Sequence, residues 1–348
     1  MQTDFERKDS MDIALDLGSC NTRVYLPEKG KVLDEPSVIT YDIFDKDIVA
    51  AGGEAYKTIG KTPTRLKTVF PLEGGVIAEL DLVEELISIF LSKVTTSKVV
   101  MPRVVACIPG EITEVEKRAV VNAISSFGVR RVYLIESAKA AAMGAGLDIM
   151  SPHGSMIVDI GGGTTDIAVM SLGGVAVSRT IKNAGKYMDG EIIKYVRRKY
   201  SLIIGETTAE ECKKAIGCVM PPAEEKIFRV KGRDSMRGLP RYVDMKSSEI
   251  MEALIEPAMN IIKGIREVLE KTPPELIGDI YTDGITLTGG LAQLGGFADL
   301  ISMQTKLDIK VAENPADCVV KGSGMAIEFV ADAETNALSS VNPLLAAY

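Results

Sequence analysis

The sequence predicts an α/β protein made of two duplicated domains. Three observations carry this. Apolar runs of strand length are interspersed with helical periods along the chain. One strand–turn–strand motif occurs twice, once near the start and once in the middle. The length, 348 residues, suits two domains of ordinary size, each large enough for its own core.

In chain order, apolar runs bounded by turn residues predict strands at 12–17, 22–26, 104–108, 132–135, 156–160, 166–171, 175–180 and 284–288. Apolar residues at helical spacing predict helices at 81–93, 111–127, 190–199, 208–216, 248–269 and 294–305. Near the start of the second helix, Thr113 followed by Glu116 forms a capping box. Ser247 or Ser248 is placed to cap the long helix near 248. Residues 1–10 mix both charges and lack the apolar run of a signal peptide. The residues after Asp332 read as a loose tail.

Composition narrows the chemistry. With 40 Lys+Arg against 48 Asp+Glu, the net charge of −8 argues against binding nucleic acid by neutralising phosphates. The single histidine, His153, nearly removes histidine catalysis and histidine-based metal sites. Five scattered cysteines without a C-x-x-C read as reduced thiols in a cytoplasmic protein. The most apolar stretch, 99–108, is broken by Pro102 and Arg103 and is too short to span a bilayer.

The duplicated motif is Ile13-Ala-Leu-Asp16-Leu-Gly18-Ser-Cys-Asn-Thr22, laid over Met156-Ile-Val-Asp159-Ile-Gly161-Gly-Gly-Thr-Thr165. A glycine-bearing turn between strands presents backbone N–H groups as a nest for anionic oxygens. An Asp at the strand end can hold a divalent cation, and Mg²⁺ takes one or two carboxylates beside phosphates and water. The pair therefore suggests a nucleotide polyphosphate held by two loops, with Asp16 and Asp159 near the metal; the alternative is that each Asp stabilises only its own turn. Leu287-Thr288-Gly289-Gly290 ends a strand and offers a further close approach, or an ordinary strand–helix turn. Gly60-Lys61-Thr62 imitates a P-loop, but Pro63 disfavours a helix there and no strand precedes it, so it reads as a decoy.

The two loops and Thr288-Gly289-Gly290 resemble the actin, sugar-kinase and heat-shock-chaperone ATPase superfamily. Glu35-Pro-Ser-Val38, Pro71-Leu-Glu-Gly-Gly-Val-Ile-Ala78, Pro102-Arg-Val-Val105, Ile112-Thr-Glu-Val-Glu-Lys-Arg-Ala119, Val132-Tyr-Leu-Ile-Glu136 and Lys271-Thr-Pro-Pro-Glu-Leu276 narrow the resemblance to MreB, the bacterial actin homologue family. It covers about residues 11 to 330. It implies an actin-like ATPase fold in which two domains, each with a mixed sheet and flanking helices, and smaller inserted subdomains surround a nucleotide cleft. The expected domains are 11–139 plus 321–331, with an insert near 30–69, and 140–320, with an insert near 182–242. Tails of 1–10 and 332–348 flank them.

Carried over by motif, Gly18, Ser19, Asn21 and Thr22 line one phosphate loop for ATP or ADP with Mg²⁺, and Gly161, Gly162, Gly163, Thr164 and Thr165 the other. Thr164 and Thr165 match threonines near the γ-phosphate, which gives Thr165 a catalytic assignment. Gly289 and Gly290 approach the nucleoside. Glu210 and Lys213 match the Glu-x-x-Lys that reaches it; without the resemblance they read as an exposed helix pair. Three departures stand out. Glu136-Ser137-Ala138 replaces Glu-Glu-Pro, so Ser137 stands where a Glu would orient the attacking water, and Glu136 is one residue away. A serine is a poor general base without an activating partner, so hydrolysis is expected to be slow or absent. Leu291 replaces a small residue and brings bulk toward the nucleoside. Lys186 and Tyr187 replace an acidic pair.

The resemblance also implies filaments of the chain with itself on the inner face of the cell membrane, working with the cell-wall elongation machinery and sister paralogues. Val99, Val100 and Met101, beside Lys98, match the family's membrane-dipping loop; the alternative is an ordinary strand entrance. The basic run Lys226, Arg229, Lys231, Arg233, Arg237 and Arg241 reads as a solvated face, part of which the family uses between subunits. Two other functions compete with this one. One is a hydrolysis-deficient paralogue acting as co-polymer or regulator. The other is a sugar kinase, which lacks a candidate base here. A chaperone ATPase is disfavoured because little sequence follows Glu328.

Overall fold

The computed structural model describes residues 12–95, 101–335 and 346–347. The chain divides into two compact units, Met1–His153 with Met170–Ala176 and Asp317–Tyr348, and Gly154–Val169 with Val177–Ala316.

The first unit begins with β1 (Asp12–Leu17), β2 (Asn21–Leu26), β3 (Gly30–Pro36), β4 (Ile39–Asp42) and β5 (Ile48–Ala51). There follow α1 (Gly53–Tyr56), β6 (Leu66–Val69), β7 (Leu72–Glu73), β8 (Val76–Ile77) and α2 (Leu80–Val94). Then come β9 (Arg103–Ile108), α3 (Glu114–Ser125), β10 (Arg131–Glu136) and α4 (Ser137–Gly144). The next stretch holds β11 (Ser155–Ile160), β12 (Thr165–Ser171), β13 (Gly174–Ile181), α5 (Gly185–Tyr200), β14 (Leu202–Ile203) and α6 (Glu206–Ile216). It continues with β15 (Ile227–Asp234), β16 (Pro240–Lys246), α7 (Ser247–Lys271), α8 (Pro274–Asp283), β17 (Ile285–Thr288), α9 (Phe297–Thr305) and β18 (Ile309–Val311). The chain returns to the first unit with α10 (Cys318–Thr335) and β19 (Ala346–Ala347).

The two main sheets have the same strand order. One runs β19-β10-β9-β1-β2-β3, the other β18-β17-β11-β12-β13. In each, the motif's first strand pairs in parallel with a later strand, β1 with β9 and β11 with β17. The sequence repeat is therefore a repeat of sheet topology. All six residues of β9 are buried, as expected for a parallel strand covered on both faces. Ile13, Leu15, Val104, Leu86 and Phe90 fill the first core, and Val158, Leu287, Ile261 and Phe297 the second.

Each expected strand and helix is present, with ends shifted by a few residues. The helix expected from 111 begins at Glu114, where Thr113 and Glu116 form the capping box, with Glu116 N–H donating to Thr113 Oγ1 at 3.2 Å. The long helix is capped one residue earlier than expected. Lys246 holds the cap position, and its N–H donates to Glu249 at 2.8 Å, while Ser247 lies inside the first turn. The helix expected at 294–305 is α9, which begins at Phe297 and is preceded by a 3₁₀ turn at Gly290–Gln293. No helix follows Thr62, in keeping with the P-loop decoy.

Several boundaries differ from expectation. The expected division at residue 139/140 cuts α4, which packs against α10 and stays with the first unit. Strand β3 joins the main sheet, so the inserted sheet of the first unit is β5-β4-β6. In the second unit the inserted sheet is β14-β15-β16, and it extends to Lys246. The first unit, expected to end at 331 with a tail beyond, contains a further helix that runs to Thr335, and Ala346–Ala347 pair with β10. Among the described residues, no helix is long and apolar enough to cross a membrane.

Candidate phosphate-binding loops

In the second unit, the turn between β11 and β12 follows Asp159-Ile160. Its first N–H, on Gly161, donates to Thr164 O at 2.9 Å and closes the turn. The start of α5 docks on it: Gly185 N–H donates to Gly161 O at 3.1 Å, and Lys186 N–H to Gly162 O at 2.9 Å. The carbonyls are thus turned toward the helix. The N–H groups of Gly162, Gly163 and Thr164 have no acceptor among the described residues. Successive unpaired N–H groups in a glycine turn form an anion nest.

The neighbouring strand completes this edge. Asp159 pairs in register with Thr288, whose hydroxyl donates to Asp159 Oδ1 at 2.8 Å. Gly289 follows with φ of +83°, and a Cβ there would lie 2.3 Å from Ile160 O. Only glycine brings the two strand ends this close. Ligands of open α/β sheets bind beyond the carboxyl ends of the strands, where 161–164 and Gly289-Gly290 both lie.

Lys213 lies behind the loop, on α6. Its ammonium donates to Gly185 O at 2.8 Å and pairs with Asp189 Oδ1 at 2.8 Å, and both side chains are buried. Burial pushes the Asp189 carboxyl up to about 6 against the pull of Lys213. Glu210 pairs with Lys214 at 2.7 Å, while Lys213 is buried against Asp189, so the alternative of an exposed helix pair does not hold for Lys213. Lys213 braces the loop through α5.

In the first unit, the 18–20 turn is held by a network that the motif does not contain. Ser37 Oγ donates to Gly18 O at 2.6 Å and lies 2.8 Å from Thr22 Oγ1. Ser19 Oγ accepts from Gly75 N–H at 2.9 Å, and Asn21 donates to Asp34 at 2.9 Å. Ala106 of β9 pairs with Leu15 on one side and Leu134 on the other. Three residues further on, Gly18 and Ser137 leave the sheet at one level. Ser137 is the half-buried first residue of α4, and Glu136 has Lys139 at 3.8 Å.

Thr165 is fully buried and donates to Asn183 O at 2.8 Å, so its hydroxyl is committed to the fold. Thr22 is buried in the same way against Ser37, so the shared threonine of the motif anchors its loop in both copies. Thr164 instead donates to Asp166 at 3.0 Å. Leu291 is buried in the second core, where its bulk packs against apolar neighbours. Tyr187 is exposed, with Lys194 5.9 Å above its ring.

The carboxylates differ in their fit to a metal. Arg23 Nη1 lies 3.4 Å from Asp16 Oδ2, inside a cluster with Asp34, Lys31 and Asp317. Burial raises the Asp16 pKa, and Arg23 opposes it. A guanidinium on the carboxylate disfavours direct metal contact there. Asp159, with a hydroxyl donor beside an anion nest, suits Mg²⁺ carried by a polyphosphate, which needs only one or two carboxylates. No group of three or more His, Cys, Asp or Glu among the described residues forms a self-sufficient metal cage. Val99 and Val100 lie outside the described residues, and Met101 is 62% exposed.

Sequence reasoning missed Ser37, Arg23, Asn183 and Asp189. Ser37 stood in a recognised motif without a role. Nothing local marked the other three, because their partners lie on other elements.

The sequence profile of the MreB/Mbl protein family matches residues 10–335. The chain is 42% identical over 318 residues to the cell shape-determining protein Mbl of Bacillus subtilis (strain 168), covering 91% of this chain and 96% of that one. It is 41% identical over 327 residues to the cell shape-determining protein MreB of Escherichia coli (strain K12), covering 92% and 94%. Among solved structures, MreB5 of Spiroplasma citri bound to ADP is similar at TM-score 0.91 and 36% identity, over 94% of this chain and 99% of that one. The MamK double helical filament shares the fold at TM-score 0.79 and 20% identity, over 92% of this chain and 99% of that one.

Proposed function

Because the chain belongs to the MreB/Mbl family, and so has the actin-like fold, we propose that it is a nucleotide-dependent filament protein that organises cell shape and cell-wall synthesis. It binds ATP or ADP with Mg²⁺, assembles with itself at the cytoplasmic face of the membrane and hydrolyses slowly. The observation that carries the reading is the anion nest at Gly162, Gly163 and Thr164, held open by the start of α5. The similar MreB5 structures bound to ADP and to AMPPNP support it.

In this reading, the 162–164 N–H groups and the 18–20 turn receive phosphate oxygens, and Asp159 receives the metal. The metal supplies charge neutralisation to the polyphosphate. Lys213 keeps the loop in place through Gly185 O. Ser137 holds the water-facing position without a carboxylate, so charge stabilisation is retained and water orientation is weak. Met101, with Val99 and Val100, is a shallow membrane contact. Cell-wall elongation proteins and sister paralogues are the expected partners.

Nucleotide binding, phosphate release and sedimentation measured side by side test the reading. The expected result is nucleotide-dependent pelleting with little phosphate release. Absent nucleotide binding would overturn the whole proposal. Rapid turnover would overturn the slow-hydrolysis part, and a monomer with ATP and lipid the filament part. Ser137 also favours a second reading, a hydrolysis-deficient co-polymer, which predicts pelleting only when a Glu-bearing family member is added.

A further inference from the structure

On the nucleotide reading above, we propose that Arg23 is a positioning residue of the first loop: its fixed charge neutralises Asp16, so that this chain binds a nucleoside polyphosphate with a reduced need for Mg²⁺. Strand register puts the pair in place. Asp16 and Arg23 stand opposite each other in the β1–β2 hairpin, followed by Leu17 opposite Thr22 and then the 18–20 turn. Directly opposed residues of an antiparallel pair share one face of the sheet. Arg23 Nη1 donates to Asp16 Oδ2 at 3.4 Å. The other oxygen, Oδ1, lies 3.8 Å from the place a Cβ on Gly18 would take, beside the turn. Among the described residues, Arg23 is the one side chain bonded to this carboxylate.

A second set of charges holds the guanidinium from behind. Arg23 Nε lies 3.3 Å from Asp34 Oδ2 and 3.7 Å from Asp317 Oδ1. Lys31 Nζ donates to the two Asp317 oxygens at 2.7 and 2.8 Å and to Asp34 at 3.1 Å, and Asn21 donates to Asp34 at 2.9 Å. Two cations against three carboxylates leave one negative charge, and exposure decides where it is felt. The Asp34 and Asp317 side chains are 32% and 34% exposed, those of Asp16 and Arg23 14% and 18%. Water screens the outer carboxylates, which Lys31 also serves, whereas the inner pair is screened less. The planar fork of an arginine reaches carboxylates on two sides at once, which the point charge of a lysine does not.

A carboxylate beside a turn that receives phosphate oxygens repels them unless a cation stands next to it. A divalent ion arriving with the nucleotide supplies such a charge. In this chain the charge is built into β2 and is present before any nucleotide arrives. The same guanidinium repels a second cation from Asp16. Both effects act in one direction: binding without metal is strengthened, and the gain from adding metal is reduced.

Equilibrium binding of ATP to the full chain, in Mg²⁺ and in EDTA, tests the proposal. Wild type should still bind in EDTA, on the order of tenfold more weakly than in Mg²⁺. Arg23→Gln should lose about a further tenfold in EDTA and recover most of it in Mg²⁺, because the bared carboxylate then takes the metal. Adding Asp16→Asn to Arg23→Gln should restore binding in EDTA, since no carboxylate is left there to repel phosphate. Arg23→Lys, which keeps the charge without the fork, should lie between wild type and Arg23→Gln. Equal affinities of wild type and Arg23→Gln in EDTA overturn the proposal. A loss of the same size in EDTA and in Mg²⁺ overturns it, as does one that Asp16→Asn leaves in place; either makes Arg23 a support of the fold alone. If Arg23→Gln does not fold, wild type decides: binding in EDTA upholds the proposal, and none overturns it. A wild type that binds no ATP even in Mg²⁺ removes the nucleotide reading itself, and this proposal with it.

Discussion

Asp189 and Lys213 are buried opposite charges whose desolvation is offset only by each other and by Gly185 O. The Asp189 carboxyl is raised from 3.8 to about 6 by burial. Between these values the native state holds a proton that the unfolded chain has released. This group's contribution to stability is therefore largest at low pH, falls by about 2 kcal/mol as pH rises from 4 to 6, and levels off near pH 7. Asp189→Asn lacks that titration. Its destabilisation relative to wild type should shrink by about 2 kcal/mol between pH 4 and pH 7, measured by urea denaturation at both; an equal difference at both values would refute the assignment. At the neighbouring strand end, Gly289→Ala combines a backbone region reserved for glycine with a clash on Ile160 O. It should cost about 3 kcal/mol or more. Gly290→Ala meets nothing within 4 Å and should leave the melting temperature nearly unchanged, so any loss of nucleotide binding there reports on the site itself.

Helices α4 and α10 show why some elements were legible in the sequence and others were not. Strands β1, β9 and β11 announce themselves as apolar runs between turn residues, and α2 and α7 as helical periods. In α4, residues 138–144 are all buried, so it has no polar stripe to set a period. In α10, Gly322 and Gly324 argue against a helix by propensity, yet the packing requires a small residue. A Cβ on Gly322 would lie 1.8 Å from Ala140 O of α4. Gly322→Ala should therefore cost about 1–3 kcal/mol or more. Gly278→Ala, at an open and exposed position of α8, should stabilise by about 0.5–1 kcal/mol. Thermal melts of the two variants should move in opposite directions, and parallel shifts would contradict the close α4–α10 contact. The loops divide in the same way. Their glycines and aspartates were readable because the turn needs them locally. Ser37, Asn183 and Asp189 act across distances of sequence that no local pattern spans.

At the scale of the molecule, two copies of one sheet order each carry an Asp-Gly turn at the carboxyl end of a central strand. They differ in what surrounds the turn. The second copy offers open N–H groups and a carboxylate beside a hydroxyl, whereas the first pairs its carboxylate with Arg23 and leaves the sheet level with Ser137. Hydrolysis in the proposed function then depends on a position where the first copy supplies a hydroxyl at the start of α4. Ser137→Glu adds a carboxylate in the first turn of that helix, where the helix dipole favours negative charge, so the variant should fold with unchanged or slightly raised stability. Positioned acid–base groups contribute about 10²–10⁴-fold to rate. A carboxylate added to a site not built around it should recover the lower part of that range, about 10–100-fold in phosphate release. Nucleotide affinity should stay close to wild type, because the 162–164 nest is untouched. Filaments of the variant should then pellet on addition of ATP and disassemble faster as phosphate is released. Release as slow as in wild type, with binding and pelleting intact, would mean that the water is oriented from elsewhere and that Ser137 does not limit the chemistry.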